Sequence, residues 1–157
     1  MTLEKSTKMY IPEPEYQKII GITPIFCIDY LIKSLDRKSF LLLKRKEEPL
    51  KGEWWFPGGR MQIRESFECA QKRILKREIG VNLPLEGQPE LIGISNYIFT
   101  NNSQKQKAVH TPTITFLISC ICEFNINIGC CHEQAQWAKK LPAYFLKNIN
   151  SASPFHA

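Results

Sequence analysis

No run in this chain of 157 residues is apolar for long enough to cross a bilayer as a helix. The opening MTLEKSTKMYIPEPEYQ is too polar for a signal peptide, so neither an anchor nor export is expected and the expected compartment is the cytoplasm. Internal repeats and low-complexity linkers are also missing. Residues 1–157 therefore read as a single domain, long enough to bury a core, with 1–15 as an N-terminal arm. The six cysteines (Cys27, Cys69, Cys120, Cys122, Cys130 and Cys131) lack the spacing of a disulfide framework. Cys120, Cys122, Cys130, Cys131 and His132 invite a zinc reading, yet no C-x2-C pair is present, and C-x-C on a strand only puts two side chains on one face. Buried reduced thiols are the expectation.

Acidic residues are scarce relative to basic ones, 15 against 21, leaving a net charge of +6 that favours anionic partners. Nucleic acid, membrane headgroups and small phosphorylated molecules all satisfy that charge. The excess is modest and no nucleic-acid recognition module is visible, so neither nucleic acid nor membrane is the expected partner.

The pattern along the chain is mixed. After Pro12 and Pro14, PEYQKII suits a short helix. Strands are expected at 22–34 and 39–46, and their apolar density suggests a sheet covered on both faces. EPLKGEWWFPGG is rich in turn residues. A helix is expected over 66–79, with Ser66 as its cap, Glu68 in its first turn and Gly80 as its stop. Its spacing puts Phe67, Ala70, Ile74 and Glu78 on one face. Strands follow at 90–99 and 111–126, separated by the polar loop 100–109, whose Lys105 and Lys107 suit either a lid or a solvated loop. Residues 130–149 read as a loop and then a helix, with Pro142 at a break or in the first turn. This order predicts an α+β fold, an α/β/α sandwich around a mixed β-sheet.

The central stretch carries the chemistry. Gly58 and Gly59, after a proline, allow close backbone approach or unusual dihedrals. A carbonyl there and the Glu78 carboxylate offer hard oxygens of the kind Mg2+ accepts, with water and phosphate supplying the rest. Arg45 and Arg60 are placed to make bidentate bonds to phosphate. From spacing alone, a solvated helix behind a structural Gly-Gly turn is an equal alternative.

Residues 59–81 resemble the Nudix box, G-x5-E-x7-R-E-U-x-E-E-x-G-U, where U is aliphatic. Gly59, Glu65, Arg73, Leu75, Glu78, Gly80 and Val81 are in register, while Ile74 and Arg77 replace two helical acids. Those acids gather divalent ions in ordinary Nudix pyrophosphohydrolases. Lacking them is similar to the GDP-mannose mannosyl hydrolase branch, which PIFCIDYLI, LLLKRKEEPLKGEWWFPGGR and the late HEQ also resemble, over roughly residues 16–140. The resemblance implies one Mg2+ per site, held by the Gly58 carbonyl, Glu78 and Gln134. It implies a nucleotide-sugar substrate, GDP-mannose or GDP-glucose, cut at the glycosidic C–O bond, with the ion easing departure of the diphosphate. Asp29, Arg45 and Arg60 become the catalytic candidates, and Arg45, Arg60 and Tyr97 the substrate-binding ones. Arg73 and Glu65 are expected to tie the loop to the helix. The resemblance also implies a homodimer, with Tyr16 and the arm at its contact.

One departure bears on mechanism. That branch has a His directly after the metal-binding Gln, and this chain has Ala135, which cannot take a proton. His132, His110 and Asp29 are the candidate substitutes. Trp54, Trp55 and Phe56 suit either a base-stacking surface or the core, with at least one Trp expected in the core. Two rivals stay open: a Nudix pyrophosphohydrolase cutting P–O, and a catalytically impaired nucleotide-sugar-binding module.

Overall fold

The computed structural model describes residues 11–81, 89–100 and 108–150. The arm residues 1–10 and the loop residues 101–107, with Lys105 and Lys107, lie outside the described residues. The chain order is α1 (Glu13–Ile20), β1 (Cys27–Lys33), β2 (Phe40–Arg45), β3 (Trp54–Trp55), β4 (Gly58–Arg60), α2 (Phe67–Ile79), β5 (Glu90–Phe99), β6 (Val109–Ser119), β7 (His132–Ala138), α3 (Ala143–Asn148) and β8 (Ile149–Asn150).

All eight strands join one sheet in the order β3-β2-β1-β6-β5-β8, with β4 added to β1 and β7 to β2. β1 runs parallel to β6 and antiparallel to β4, so the sheet is mixed. Alternation along the central strands divides the core into two layers. Ile28, Tyr30 and Ile32 of β1 and Leu41 and Leu43 of β2 pack with Ala70, Ile74, Leu75 and Ile79 of α2. Leu31 and Leu42 point the other way, onto Trp55, Phe56, Tyr97 and Phe145 of α3. The fold is α+β, with helices on both faces of the sheet, as its pattern predicts. No helix among the described residues is long and apolar enough to cross a membrane.

α2 is built as its sequence suggests. Ser66 Oγ accepts a hydrogen bond from Cys69 N at 3.2 Å, and Gly80 ends the helix in the left-handed conformation at φ 75°. Phe67, placed by its spacing on the buried face, is 48% exposed because it lies at the helix start.

Four expectations need correction. The first strand starts at Cys27 rather than residue 22, beyond Pro24. The turn-rich stretch holds two short strands, β3 and β4. The strand expected to reach 126 stops at Ser119. Beyond it the backbone turns to another partner: Asn127 N donates to Ile79 O and Gly129 N to Glu78 O, both at 2.9 Å, satisfying carbonyls at the end of α2. Lastly, 132–138, read as loop, is the edge strand β7 on β2. The cysteines are free thiols, but Cys69, Cys122 and Cys130 are exposed and Cys120 alone of the six is fully buried.

Candidate active site

β1, β4 and the start of β2's outgoing turn enclose a cavity of about 740 Å³, within the size range of small-molecule sites. Asp29, Arg45, Trp55, Gly58, Arg60 and Tyr97 line it, and Arg77 reaches it from α2. Arg45, Arg60, Arg77 and the exposed Lys46 and Lys51 supply its positive charge, against Glu13, Asp29, Glu47 and Glu48.

Asp29 is the acid on the cavity wall. It pairs with Gly58 across β1 and β4, and a Cβ at Gly58 would come within 2.1 Å of Asp29 Oδ1. Glycine is needed at 58 for this approach rather than for its dihedrals, since the left-handed glycines among the described residues are Gly52 and Gly80. Trp55 Nε1 donates to Asp29 Oδ2 at 3.0 Å. Burial pushes the carboxyl up to about 7, and the Trp55 hydrogen bond and Arg45 oppose that rise. A carboxyl titrating near neutrality is poised to accept a proton. Cys27, two residues earlier on the same strand, is pushed by burial, and then by Asp29, up to about 12 and stays a thiol.

Glu78, 4% exposed, occupies the adjoining end of α2. Both its oxygens are engaged. Arg77 Nε donates to Oε1 at 2.6 Å, and His132 Nε2 contacts Oε2. Burial raises this carboxyl, yet His132 and Arg77 outweigh it and hold the acid below its ordinary range. The Arg77 guanidinium also donates from Nη2 to the Gly58 carbonyl at 3.0 Å. Neighbours in a helix do not ordinarily face each other; here the Gly58 carbonyl draws Arg77 across the carboxylate of Glu78. A side chain at Gly59 would block it, because a Cβ there would lie 2.6 Å from Arg77 Nη2.

The other sequence candidates divide. Arg45 is anchored by its Nε to Pro49 O at 2.7 Å, and Arg60 lies 5.0 Å from the Tyr16 ring centre. Tyr16, expected at a contact between copies, thus stacks on an arginine of its own chain. Tyr97 is buried edge-on to Trp55, with ring centres 5.4 Å apart. Trp55 is the Trp expected in the core, and it also lines the cavity. Arg73 clasps Glu65 through Nε at 2.6 Å and Nη2 at 2.7 Å, and also donates to Arg60 O at 3.0 Å, joining loop and helix.

Gln134 is not brought to Glu78. Ala135 packs with Leu43 on the α2 side of the sheet, so its neighbour Gln134 faces away and is exposed. The register shifts between Lys44 and Arg45, where Glu133 is the extra residue, and this turns His132 rather than Glu133 toward α2. His132, a candidate base, is therefore spent on Glu78 and does not line the cavity. His110 bonds Asn96 Oδ1 at 2.6 Å and also lies off the cavity.

Gly58 O and Glu78 Oε1 converge on one cationic group, and both are hard oxygens of the type a small divalent ion takes. Among the described residues, no cluster of three or more His, Cys, Asp or Glu side chains forms a metal site. Three residues with roles here lay beyond sequence reasoning: Arg77 as a bridge, Trp55 as partner to Asp29, and His132 as partner to Glu78. Each contact depends on strand register or on a helix meeting a distant loop.

Residues 30–143 match the model of the NUDIX domain. The low-salt glycan biosynthesis protein Agl8 of Haloferax volcanii is 32% identical over 78 residues, 50% of this chain and 49% of that protein; the match spans about half the length of this curated relative. The fold is shared with a MutT protein from Methanosarcina mazei Go1 (TM-score 0.62, 24% identity, covering 80% of this chain and 91% of that one). It is also shared with a MutT NUDIX hydrolase from Burkholderia pseudomallei (TM-score 0.61, 23% identity, covering 76% and 88%).

Proposed function

Since this chain belongs to the NUDIX domain family, we propose that it hydrolyses a nucleotide-sugar, GDP-mannose or GDP-glucose, at the glycosidic C–O bond to give GDP and the free sugar. The observation that carries this reading is the placing of Asp29, a buried acid titrating near 7, on one cavity wall with Arg45, Arg60 and the Gly58 carbonyl. Asp29 takes a proton from water as the water oxygen attacks the anomeric carbon. The bond from that carbon to the bridging oxygen breaks, and the diphosphate leaves with the oxygen. Arg45 and Arg60 offset the charge that develops on it. Tyr97 and Trp55 form the wall against the sugar or base.

Mg2+ is the cofactor we infer, one ion per site. Gly58 O and Glu78 would hold it, without Gln134, and once bound it would add Lewis-acid stabilisation of the leaving diphosphate. A single acid suits that role better than activation of water at phosphorus. Ile74, at an acidic position of the box, is fully buried under the sheet, and Arg77, at the other, is a cation. The partial likeness to a glycan biosynthesis protein supports a sugar-bearing substrate. Ala135 does not by itself argue for an inactive binding module, because Asp29 is available as the base.

Incubation with GDP-mannose and Mg2+ in oxygen-18 water tests the reading. The label should appear on mannose. Label on phosphate would establish P–O cleavage instead, and ligand binding without turnover would establish a binding module.

A further inference from the structure

The sequence places a cation beside the one acid at the end of α2, and the structure gives that cation a position. Arg77 spans the Gly58 carbonyl and the Glu78 carboxylate, the same two oxygens that would hold a divalent ion. Its seat is built. Gly59 carries no Cβ where the guanidinium lies, and Gly129 carries none where the Arg77 carbonyl lies, a Cβ at 129 being only 2.2 Å from that oxygen. His132 holds the other oxygen of Glu78, so both carboxylate oxygens already have a side-chain partner while Arg77 stays.

We propose that Arg77 is the resident cation of this site and that its guanidinium and a divalent ion exclude each other. In the free protein the arginine neutralises Glu78 and the Gly58 carbonyl. A divalent ion must displace two charge-assisted or carbonyl-directed hydrogen bonds before it can bind. A diphosphate reverses the balance from both sides, offering the guanidinium an anionic fork and the ion further oxygens. Half exposed, at 45%, Arg77 has room to move from one partner to the other. Ion and nucleoside diphosphate would therefore bind with positive coupling, each making room for the other. The inference rests on reading Gly58 and Glu78 as the ion's ligands, but not on the identity of the substrate.

The test uses the full chain without substrate. Mn2+ is titrated against wild type, Arg77→Gln and Arg77→Gln/Glu78→Gln, with free Mn2+ read by electron paramagnetic resonance and folding checked by circular dichroism. Removal of Arg77 should tighten Mn2+ binding by about tenfold or more, and the second substitution should abolish the gain. Arg77→Ala serves in its place should Arg77→Gln not fold. Equal affinity in wild type and the single variant, including none detectable in either, would overturn the proposal. A gain that survives Glu78→Gln would overturn the ligand assignment beneath it. Either failure leaves the oxygen-18 experiment, and so the hydrolase reading, undecided by this result and separately testable.

Discussion

Two opposing influences act on the carboxyl of Asp29: burial disfavours its charge, while the Trp55 indole and Arg45 favour it. If Asp29 is the base, kcat/KM should rise with pH as it ionises. Trp55→Phe removes a donor to the ionised form, so the midpoint of that rise should move to higher pH, whereas a purely structural role for Trp55 would lower activity without moving it. Asp29→Asn should lower kcat by about 10²–10⁴-fold with little change in fold. The same carboxyl affects stability. Its folded value, about 7, lies above the unfolded 3.8, so it costs nothing while both states are protonated. The penalty grows as pH rises from about 4 to about 7 and is constant above that. Thermal melts should therefore show wild type losing ground to Asp29→Asn across this window, with no further divergence at higher pH. None of these details could be read from residue type. An Asp within an apolar strand is visible in the sequence, but its exposure and its indole partner are not.

At the scale of elements, α2 and β7 make instructive opposites. α2 was legible because its signals are local: a cap at Ser66, apolar residues at helical spacing, and a glycine stop. Gly80→Ala should cost about 1–3 kcal/mol in urea melts, since φ 75° disfavours any side chain and the new Cβ would lie 2.7 Å from Asn127 Cβ. Ile74→Glu, which would restore one acid of the family box, should not restore a metal site. It buries a charge among Leu75, Ile79 and the β1 side chains, and should cost about 3 kcal/mol or more or prevent folding. β7 offers no comparable local signal. HEQAQWA is mostly polar because it is an edge strand, and its pairing with β2 is a long-range event. The facing of Ala135 turns Gln134 away, and a bulge at Glu133 then brings His132 to Glu78, which no alignment of short segments could supply.

For the molecule as a whole, the cavity exists because β4 adds to β1 while the β2 turn and α2 close over the same end of the sheet. Its arginines come from three separate elements, Arg45 from β2, Arg60 from β4 and Arg77 from α2. GDP should raise the melting temperature of the full chain, and the shift should shrink as salt is raised, because the attraction is largely ionic. A shift indifferent to salt would remove the arginines from that role. The sequence alone determined the α+β class, the covered sheet, the limits of α2 and the retention of one acid, Glu78, among the three helical acid positions of the modified box, since periodicity, capping and motif spacing act over a few residues. Only the tertiary structure decided which side chains share the cavity, that Arg77 bridges Gly58 and Glu78, and that Asp29 titrates near neutrality. Those outcomes depend on strand register, on close approach across glycines and on exclusion of water, and each of these arises only when distant segments of the chain meet.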